Sequence, residues 1–597
     1  MIVLGINEEH NAAAALVKDG KVIACVSEER FTRIKNDVGY PLKAIEFVLK
    51  KAKVKPEDCD CVVYSSLDQE PLQMKLKRLS RFKVKDYVRE MYEYWKPVLL
   101  ENATSTFWDD IQKEPYFNNV DGVHYNFDFL KSTPESKWAE VFKQERKDVV
   151  FRHLGIPTEK VTFVDHHTAH AYYAYFASPI GRLGKTAVIT ADGWGDGCNA
   201  TISIAQGNTI KEVHRTAMCN LAKIYRWTTL ILGLRPNEHE YKVMGLAPYA
   251  HEYIRQPAYK IFKETLVVDG MDFKWNKKPP DMYFYFKERF EREGVRFDGI
   301  AAGLQQWLEE MVTQWISNVL EELGVNSLVF SGGLSMNVKA NKAVFELPQV
   351  KNFFVAPSGG DESLCMGAAF VICNKKDEIK PLQDAYLGPS PDEAEVEAAL
   401  KKYDAYAKFE VIKRPTPEGI AELLVQGKVI GRCVGGEEFG ARALGNRSIL
   451  CDPSRWENVR KINEKIKFRD FWMPFTPTIL SDRAEEYIVN PKRLKAPFMT
   501  ITFNSTPLAR ERLKAAVHPY DFTVRPQVLE KDINPEYFEI IKAFEKKTGI
   551  GAILNTSLNL HSEPIVNTAF DAMHTFVNSG LDGLLLPGIL VLKKRGP

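Results

Sequence analysis

The sequence predicts an α/β protein of two domains. The first is a duplication of two strand-rich halves on either side of a cleft, and the second is a separate α/β unit. Three observations carry this. A trio of strands at the N-terminus recurs in the middle of the chain. Each copy opens a glycine-bearing loop directly after its first strand. A cluster of helix and strand breakers then divides the chain near residues 375–393. Length agrees, because 597 residues exceed what one hydrophobic core organises.

Residues 2–6, 12–18 and 21–26 read as the first trio, with Asp19-Gly20 as the hairpin turn. Residues 186–191, 200–205 and 209–214 read as the second, with Gly207-Asn208 at the turn. The glycine-bearing loops are residues 5–11 and 192–197. Two such halves facing each other are the plan of the actin/hexokinase/Hsp70-type ATP-binding fold. Between them, from about 70 to 154, lies a helical insertion rich in Lys, Glu, Tyr and Trp, placed to cover the cleft or to mediate a homodimer. A long amphipathic helix over 300–323 leads to a strand at 328–330 and the turn Ser331-Gly332-Gly333. A strand at 353–356 precedes Ser358-Gly359-Gly360-Asp361, and a helix follows over 364–374. The expected boundaries are a domain over 1–375, a linker over 376–395 containing Gly388-Pro-Ser-Pro391, and a second domain over 396–597. The second domain carries a helix over 418–426 and strands at 428–434 and 552–554.

The chemistry-bearing residues fall into four groups. His166 and His170 in Asp165-His-His-Thr-Ala-His170 stand at i and i+4, so a helix there brings both imidazoles to one face, where they can share a metal ion. Asp192 in Asp192-Gly-Trp-Gly-Asp196 and Asp361 each end a strand-like run at a glycine turn and are the expected carboxylate ligands. The glycine turns themselves, at Gly193, Gly332 and Gly333, expose N–H groups of the kind that bind nucleotide phosphates, and Asn337 is placed to bond sugar or base. None is a P-loop or a dinucleotide fingerprint. Arg442 and Arg447 in Glu438-Phe-Gly-Ala-Arg-Ala-Leu-Gly-Asn-Arg-Ser448 are followed by Lys467-Phe-Arg469, Thr523-Val-Arg525 and Asn555-Thr-Ser-Leu-Asn559. Cations in loops among small neighbours predict a small anionic substrate. His10, in the first glycine-bearing loop, is the candidate general base.

Composition narrows the classes. The chain is 45% hydrophobic and 26% charged with a net charge of +2, which provides no global field for nucleic acid or an anionic membrane. The N-terminus lacks a basic n-region and reads as a strand, and no apolar run reaches membrane-spanning length. Nine cysteines without C-x-x-C fit reduced thiols in a cytoplasmic protein.

The motifs together resemble the NodU/CmcH-type O-carbamoyltransferases over nearly the whole chain. The match includes His10-Asn-Ala, Glu28-Glu-Arg-Phe-Thr-Arg33, His166-His-Thr-Ala-His170, Glu240-Tyr-Lys-Val-Met-Gly-Leu-Ala-Pro248, Gly332-Gly-Leu-Ser-Met-Asn337, Glu438 to Ser448, Asp521-Phe-Thr-Val-Arg525, Asn555-Thr-Ser-Leu-Asn559 and Glu563-Pro-Ile-Val566. The resemblance implies an N-terminal ASKHA-type domain, similar to the tRNA threonylcarbamoyl transferases, and a C-terminal YrdC-like domain. It implies ATP and carbamoyl phosphate as co-substrates, magnesium with the ATP, and a carbamoyl-adenylate intermediate. The carbamoyl group would then pass to a hydroxyl of a small-molecule natural product. His166, His170, Asp192 and Asp361 would hold iron(II) or another divalent ion. Gly193, Gly332, Gly333, Asn337 and Lys242 would lie near the nucleotide. Lys467, Arg469, Arg525 and Asn555, supported by Arg442 and Arg447, would bind carbamoyl phosphate or ATP phosphates. Gly440-Ala-Arg442 and His518-Pro-Tyr-Asp-Phe-Thr523 depart from the family pattern, which puts His518 in doubt as a functional residue.

Two other readings compete. A tRNA threonylcarbamoylation-type transferase shares the metal motif but does not explain the Glu438–Ser448 signature. A non-catalytic ATP-binding switch explains the first domain and leaves the arginine-rich second domain without a task. Hydrogenase-maturation carbamoylation would bring C-x-x-C zinc modules that the sequence lacks. The acceptor itself is not readable, although Tyr225, Trp227 and Tyr241 are available to line its pocket.

Overall fold

The structure, a computed structural model, describes residues 1–180 and 184–594 and is a mixed α/β fold. It divides into two compact units: residues 1–32 with 36–381, and residues 33–35 with the chain from 382 onward.

The first unit contains the duplication directly. Strands β1 (Ile2–Asn7), β2 (Ala13–Lys18), β3 (Lys21–Ser27), β4 (Cys61–Tyr64) and β5 (Val161–Phe163) form one sheet in the order β3-β2-β1-β4-β5. The first three are antiparallel neighbours, and β1, β4 and β5 run parallel. Strands β6 (Thr186–Gly195), β7 (Cys198–Gln206), β8 (Thr209–Thr216), β11 (Ser327–Ser331) and β12 (Asn352–Val355) repeat that plan as β8-β7-β6-β11-β12, with the same pattern of antiparallel and parallel pairs. A small hairpin, β9 (Leu266–Asp269) and β10 (Asp272–Trp275), stands apart.

Three helices fix the arrangement. Helix α1 (His166–Phe176) follows the last strand of the first sheet yet packs on β6, β7 and β11 of the second. Helix α2 (Phe297–Leu323) carries buried residues along its whole length, including Trp307 and Trp315. Helix α3 (Leu364–Cys373) follows the last strand of the second sheet yet packs on β1, β2 and β4 of the first. Helices α1 and α3 also pack on one another, closely enough that a Cβ at Gly367 would come within 1.9 Å of the Ala169 carbonyl oxygen. Each half is therefore completed by the other half's helix. The segment from 70 to 154 is helical, but the run from Tyr87 to Leu99 is not one regular helix. It is an α-helix (Val84–Arg89), a π-helical turn (Glu90–Trp95) and a second α-helix (Lys96–Leu100).

The second unit is built on an eight-stranded sheet in the order β13-β23-β22-β14-β15-β21-β16-β20. Its strands are β13 (Phe409–Lys413), β14 (Ile430–Cys433), β15 (Arg447–Cys451), β16 (Thr476–Leu480), β20 (Gln527–Leu529), β21 (Ala552–Ser557), β22 (Gly583–Leu586) and β23 (Ile589–Lys593). Short strands β17 (Ile488–Val489), β18 (Phe503–Ser505) and β19 (Thr523–Val524) form a separate ribbon. All nine cysteines are free, and among the described residues no helix is long and apolar enough to cross a membrane.

Candidate active site

The histidine pair sits where a strand gives way at once to a helix. The Val164 N–H still bonds the Tyr64 carbonyl, extending β5, and Asp165 then caps α1 by accepting from the Thr168 N–H at 2.8 Å. The first turn of α1 therefore carries His166 and His170 on one face, both fully buried. Asp192 follows Ala191 on β6, and Asp361 opens the short turn that leads into α3. One ligand atom from each of these four residues lies within 4.8 Å of all the others.

The separations are close to what one cation needs. His170 Nε2 is 3.2 Å from Asp192 Oδ2 and 3.4 Å from Asp361 Oδ1, and His166 Nε2 is 3.9 Å from each carboxylate. Ligand bonds of about 2.1 Å in a tetrahedral site put neighbouring donors about 3.4 Å apart. Both Nε2 atoms are buried without a well-aligned hydrogen bond. Burial opposes charge on both imidazoles. Glu9 and Asp192 outweigh it for His166, and Asp192 and Asp361 outweigh it for His170, so both pKa values rise. Asp192 stays well below the usual carboxylate range despite its burial, because both imidazoles face it. Asp361 is pushed up by burial and by the Asp192 charge. Two neutral imidazoles and two carboxylates carry a charge of −2, which a divalent cation neutralises; the donor set fits one.

The glycine turns have a different job from the expected one. The Gly333 N–H donates to Asp192 Oδ2 at 2.9 Å, and the Gly193 N–H donates to Asp192 Oδ1. These amides therefore hold the carboxylate in place and are not open to nucleotide phosphates. Gly332 is required here, with φ of +93° and a hypothetical Cβ only 2.2 Å from the Ala191 carbonyl oxygen. Asn337 is also committed: its Oδ1 accepts from the Ala340 N–H at 3.0 Å as the cap of the following helix, and it pairs with Gln305. Lys242 lies buried in the helix Glu240–Leu246.

His10 is half-buried in the loop between β1 and β2, and among the described residues its Nδ1 has no hydrogen-bond partner. Burial holds its pKa down at about 4 against the pull of Glu238 and Asp192. The imidazole is neutral at ordinary pH and free to accept a proton.

In the second unit the predicted cations separate into two sets. Arg447 is fully buried, and its guanidinium donates to the carbonyls of Pro389 (2.8 Å), Gly435 (3.0 Å), Asn446 (3.0 Å) and Asn567 (3.2 Å). It cross-links the loops of the sheet and is not a phosphate ligand. Asn555 lies inside β21, buried, donating to the Ala443 carbonyl and to Thr478 Oγ1. It supports the Glu438–Ser448 loop from below.

Lys467, Arg469, Arg442 and Arg525 form the other set. Lys467 ends a π-helical turn (Asn463–Lys467), and the following Phe468 adopts φ of +44°, which turns the lysine inward. Its ammonium donates to Asn559 Oδ1 at 2.6 Å and to Ser557. Burial, with Arg469 and Lys35 nearby, holds its pKa well below the lysine range. Arg525 is depressed likewise by burial and by Arg442 and Arg469, and among the described residues its buried Nε has no hydrogen-bond partner. Arg469 lies over the Phe475 ring at 4.1 Å and donates to Asn463 and to the Met473 and Pro474 carbonyls. Basic groups that lower the pKa of Lys467 and Arg525 in this way suit an anion.

Sequence reasoning did not single out three residues that brace the metal tetrad. Glu9 Oε2 lies 3.1 Å from His166 Nδ1, Ser331 Oγ lies 3.2 Å from His170 Nδ1, and Asp196 Oδ2 accepts from the His166 N–H at 2.7 Å. The signal was available for Glu9 and Asp196, since both are acids in the two glycine-bearing loops.

Residues 2–370 match the family description "Carbamoyltransferase N-terminus", and residues 421–593 match "Carbamoyltransferase C-terminus". An uncharacterized protein of Methanocaldococcus jannaschii is 31% identical over 609 residues, covering 100% of both chains. Nodulation protein NolNO of Sinorhizobium fredii is 30% identical over 596 residues, covering 98% of this chain and 79% of that protein. Among solved structures, HypF in its phosphate- and nucleotide-bound form aligns with 64% of this chain and 56% of that chain, at 11% identity and a TM-score of 0.30, too distant to bear on function. With both family regions matched in order and a relative similar from end to end, the chain belongs to the carbamoyltransferase family.

Proposed function

We propose that this carbamoyltransferase is an ATP-dependent O-carbamoyltransferase working in two half-reactions. The observation that carries the reading is the presence in one chain of a His₂Asp₂ cation site and a group of basic residues, Lys467, Arg469, Arg442 and Arg525, close enough to lower the pKa of Lys467 and Arg525. The second unit, read as YrdC-like, takes carbamoyl phosphate on that cluster and hydrolyses it to carbamate and phosphate. The carbamate oxygen then attacks the α-phosphorus of ATP, accompanied by magnesium, to give carbamoyl-adenylate and pyrophosphate. Arginine forks suit both anions.

The first unit, read as ASKHA-type from its duplicated sheets, receives the adenylate. A hydroxyl of a small-molecule acceptor adds to the carbamoyl carbon and AMP leaves. A divalent ion on His166, His170, Asp192 and Asp361, iron(II) being the family expectation, would supply charge stabilisation at the adenylate. His10 takes the hydroxyl proton, its neutral form being secured by burial. Partners are the small-molecule acceptor and, through the helical insertion, a second copy of the chain; nucleic acid and membrane have no part.

Pyrophosphate release from ATP by the purified protein, with and without carbamoyl phosphate, tests this before any acceptor is known. Release that requires carbamoyl phosphate, and that Arg525→Ala removes while His10→Ala spares it, is the expected result. Release equal with and without carbamoyl phosphate, or none in metal-replete protein, sinks the two-step scheme.

A further inference from the structure

We infer that Glu9 is a positioning residue for the metal centre, fixing which nitrogen of His166 faces the tetrad and holding that ring in place. This rests on the metal part of the proposed function and not on the carbamoyl chemistry.

The two histidine ligands are braced differently. His166 Nδ1 faces Glu9 Oε2 at 3.1 Å, and an ionised carboxylate only accepts. The Nδ1 proton is thereby specified, and the lone pair is left on Nε2, the atom that faces Asp192 and Asp361. His170 Nδ1 faces Ser331 Oγ at 3.2 Å, and a hydroxyl donates or accepts, so that contact specifies no tautomer. A carboxylate behind a ligating imidazole also raises its basicity and orients its ring.

Glu9 is itself held. Gln69 Nε2 donates to its other oxygen, Oε1, and also to Ser66 Oγ at 2.8 Å. Ser66 Oγ in turn accepts from the buried Arg146 at 3.0 Å. The other face of the His166 ring rests against Gly195, where a Cβ would intrude to 2.3 Å of the ring carbons. The ring is thus held between the Glu9 carboxylate and a bare backbone, and the His166 backbone N–H is anchored on Asp196 at 2.7 Å. Among the described residues, His170 Nδ1 has no comparable carboxylate brace.

The test is a Co²⁺ titration of the full-length, metal-stripped protein in competition with a chromophoric chelator, read by affinity and by the cobalt d–d spectrum. Glu9→Gln is expected to weaken Co²⁺ about 10- to 100-fold. Glu9→Ala should weaken it no more than Glu9→Gln, because the glutamine amide donates to Nδ1 and selects the wrong tautomer, whereas alanine admits water. Ser331→Ala should change affinity less than either. Gln69→Leu, which loosens Glu9 without removing it, should give a smaller loss in the same direction, and it carries the test if the Glu9 variants do not fold. Wild-type affinity and spectrum in Glu9→Gln or, failing its folding, in Gln69→Leu would overturn the inference. If the unaltered protein binds no Co²⁺, the inference falls together with the metal centre, while carbamoyl-phosphate-dependent pyrophosphate release still reports on the rest of the scheme.

Discussion

The two candidate sites of this chain solve opposite electrostatic problems. In the first unit, two half-buried acids meet two buried imidazoles, and the imidazoles lower the Asp192 pKa while the acids raise that of His170. In the second, the buried Lys467 and the half-buried Arg442, Arg469 and Arg525 stand near one another, and the arginines lower the pKa of Lys467 and Arg525. The first arrangement is nearly self-sufficient and calls for one cation. The second suits an anion. The proposed scheme, in which a charged intermediate is made at one place and used at another, calls for two such sites.

That contrast can be broken from either side. The largest effect is expected from Asp361→Ala, which should cut transfer to an acceptor by about a thousandfold, equivalent to several kcal/mol, while pyrophosphate release continues. Acceptor-dependent AMP formation, compared with pyrophosphate in the same samples, checks it. Arg525→Ala should do the reverse, lowering carbamoyl-phosphate-dependent pyrophosphate release about a hundredfold with Co²⁺ affinity unchanged. Equal damage to both readouts by either variant would erase the distinction. Arg447→Met should behave like neither. Losing a buried guanidinium that satisfies four carbonyls should cost about 3 kcal/mol of folding stability, seen as a lower midpoint in denaturant, with phosphate affinity in the surviving folded protein little altered.

The smallest effect is a pH dependence. Burial lowers the His10 pKa from 6.5 to about 4, so the unfolded chain takes up a proton that the native state resists. The stability that depends on this is present above pH 6.5 and is lost as pH falls from 6.5 toward 4. His10→Asn should make that acid-side decline shallower in thermal melts, and the transfer rate should show no His10 titration above about pH 5.

Much of the framework was legible in the sequence because it is local. The two strand trios announce themselves by period and by their turn dipeptides, and they became β1–β3 and β6–β8 with small shifts at the ends. The histidine pair needed only helical spacing, and Asp192 and Asp361 needed only an acid beside a glycine turn, although Asp192, expected where a strand stops, lies inside β6, which runs on to Gly195. What could not be read was how groups far apart divide the work. The amides of Gly193 and Gly333 look like phosphate ligands until Asp192 is seen to occupy both. Arg447 and Arg525 look alike as loop arginines, yet one is surrounded by carbonyls and the other by arginines. Asn555 was expected at a strand end, but β21 continues to Ser557 and carries its side chain into the sheet. Glu9 was passed over because its partner is 157 residues away.

The crossing of α1 and α3 has a consequence for synthesis. The thiol of Cys25 on β3 lies 3.6 Å from that of Cys365 on α3, a contact spanning 340 residues. The first half leaves the ribosome complete in its strands but without the helix that covers β1, β2 and β4. Closing so long a loop is slow, and the bare sheet face is exposed until the second half arrives. The nascent first half is thus a client for chaperones, and neither half is expected to fold when expressed alone.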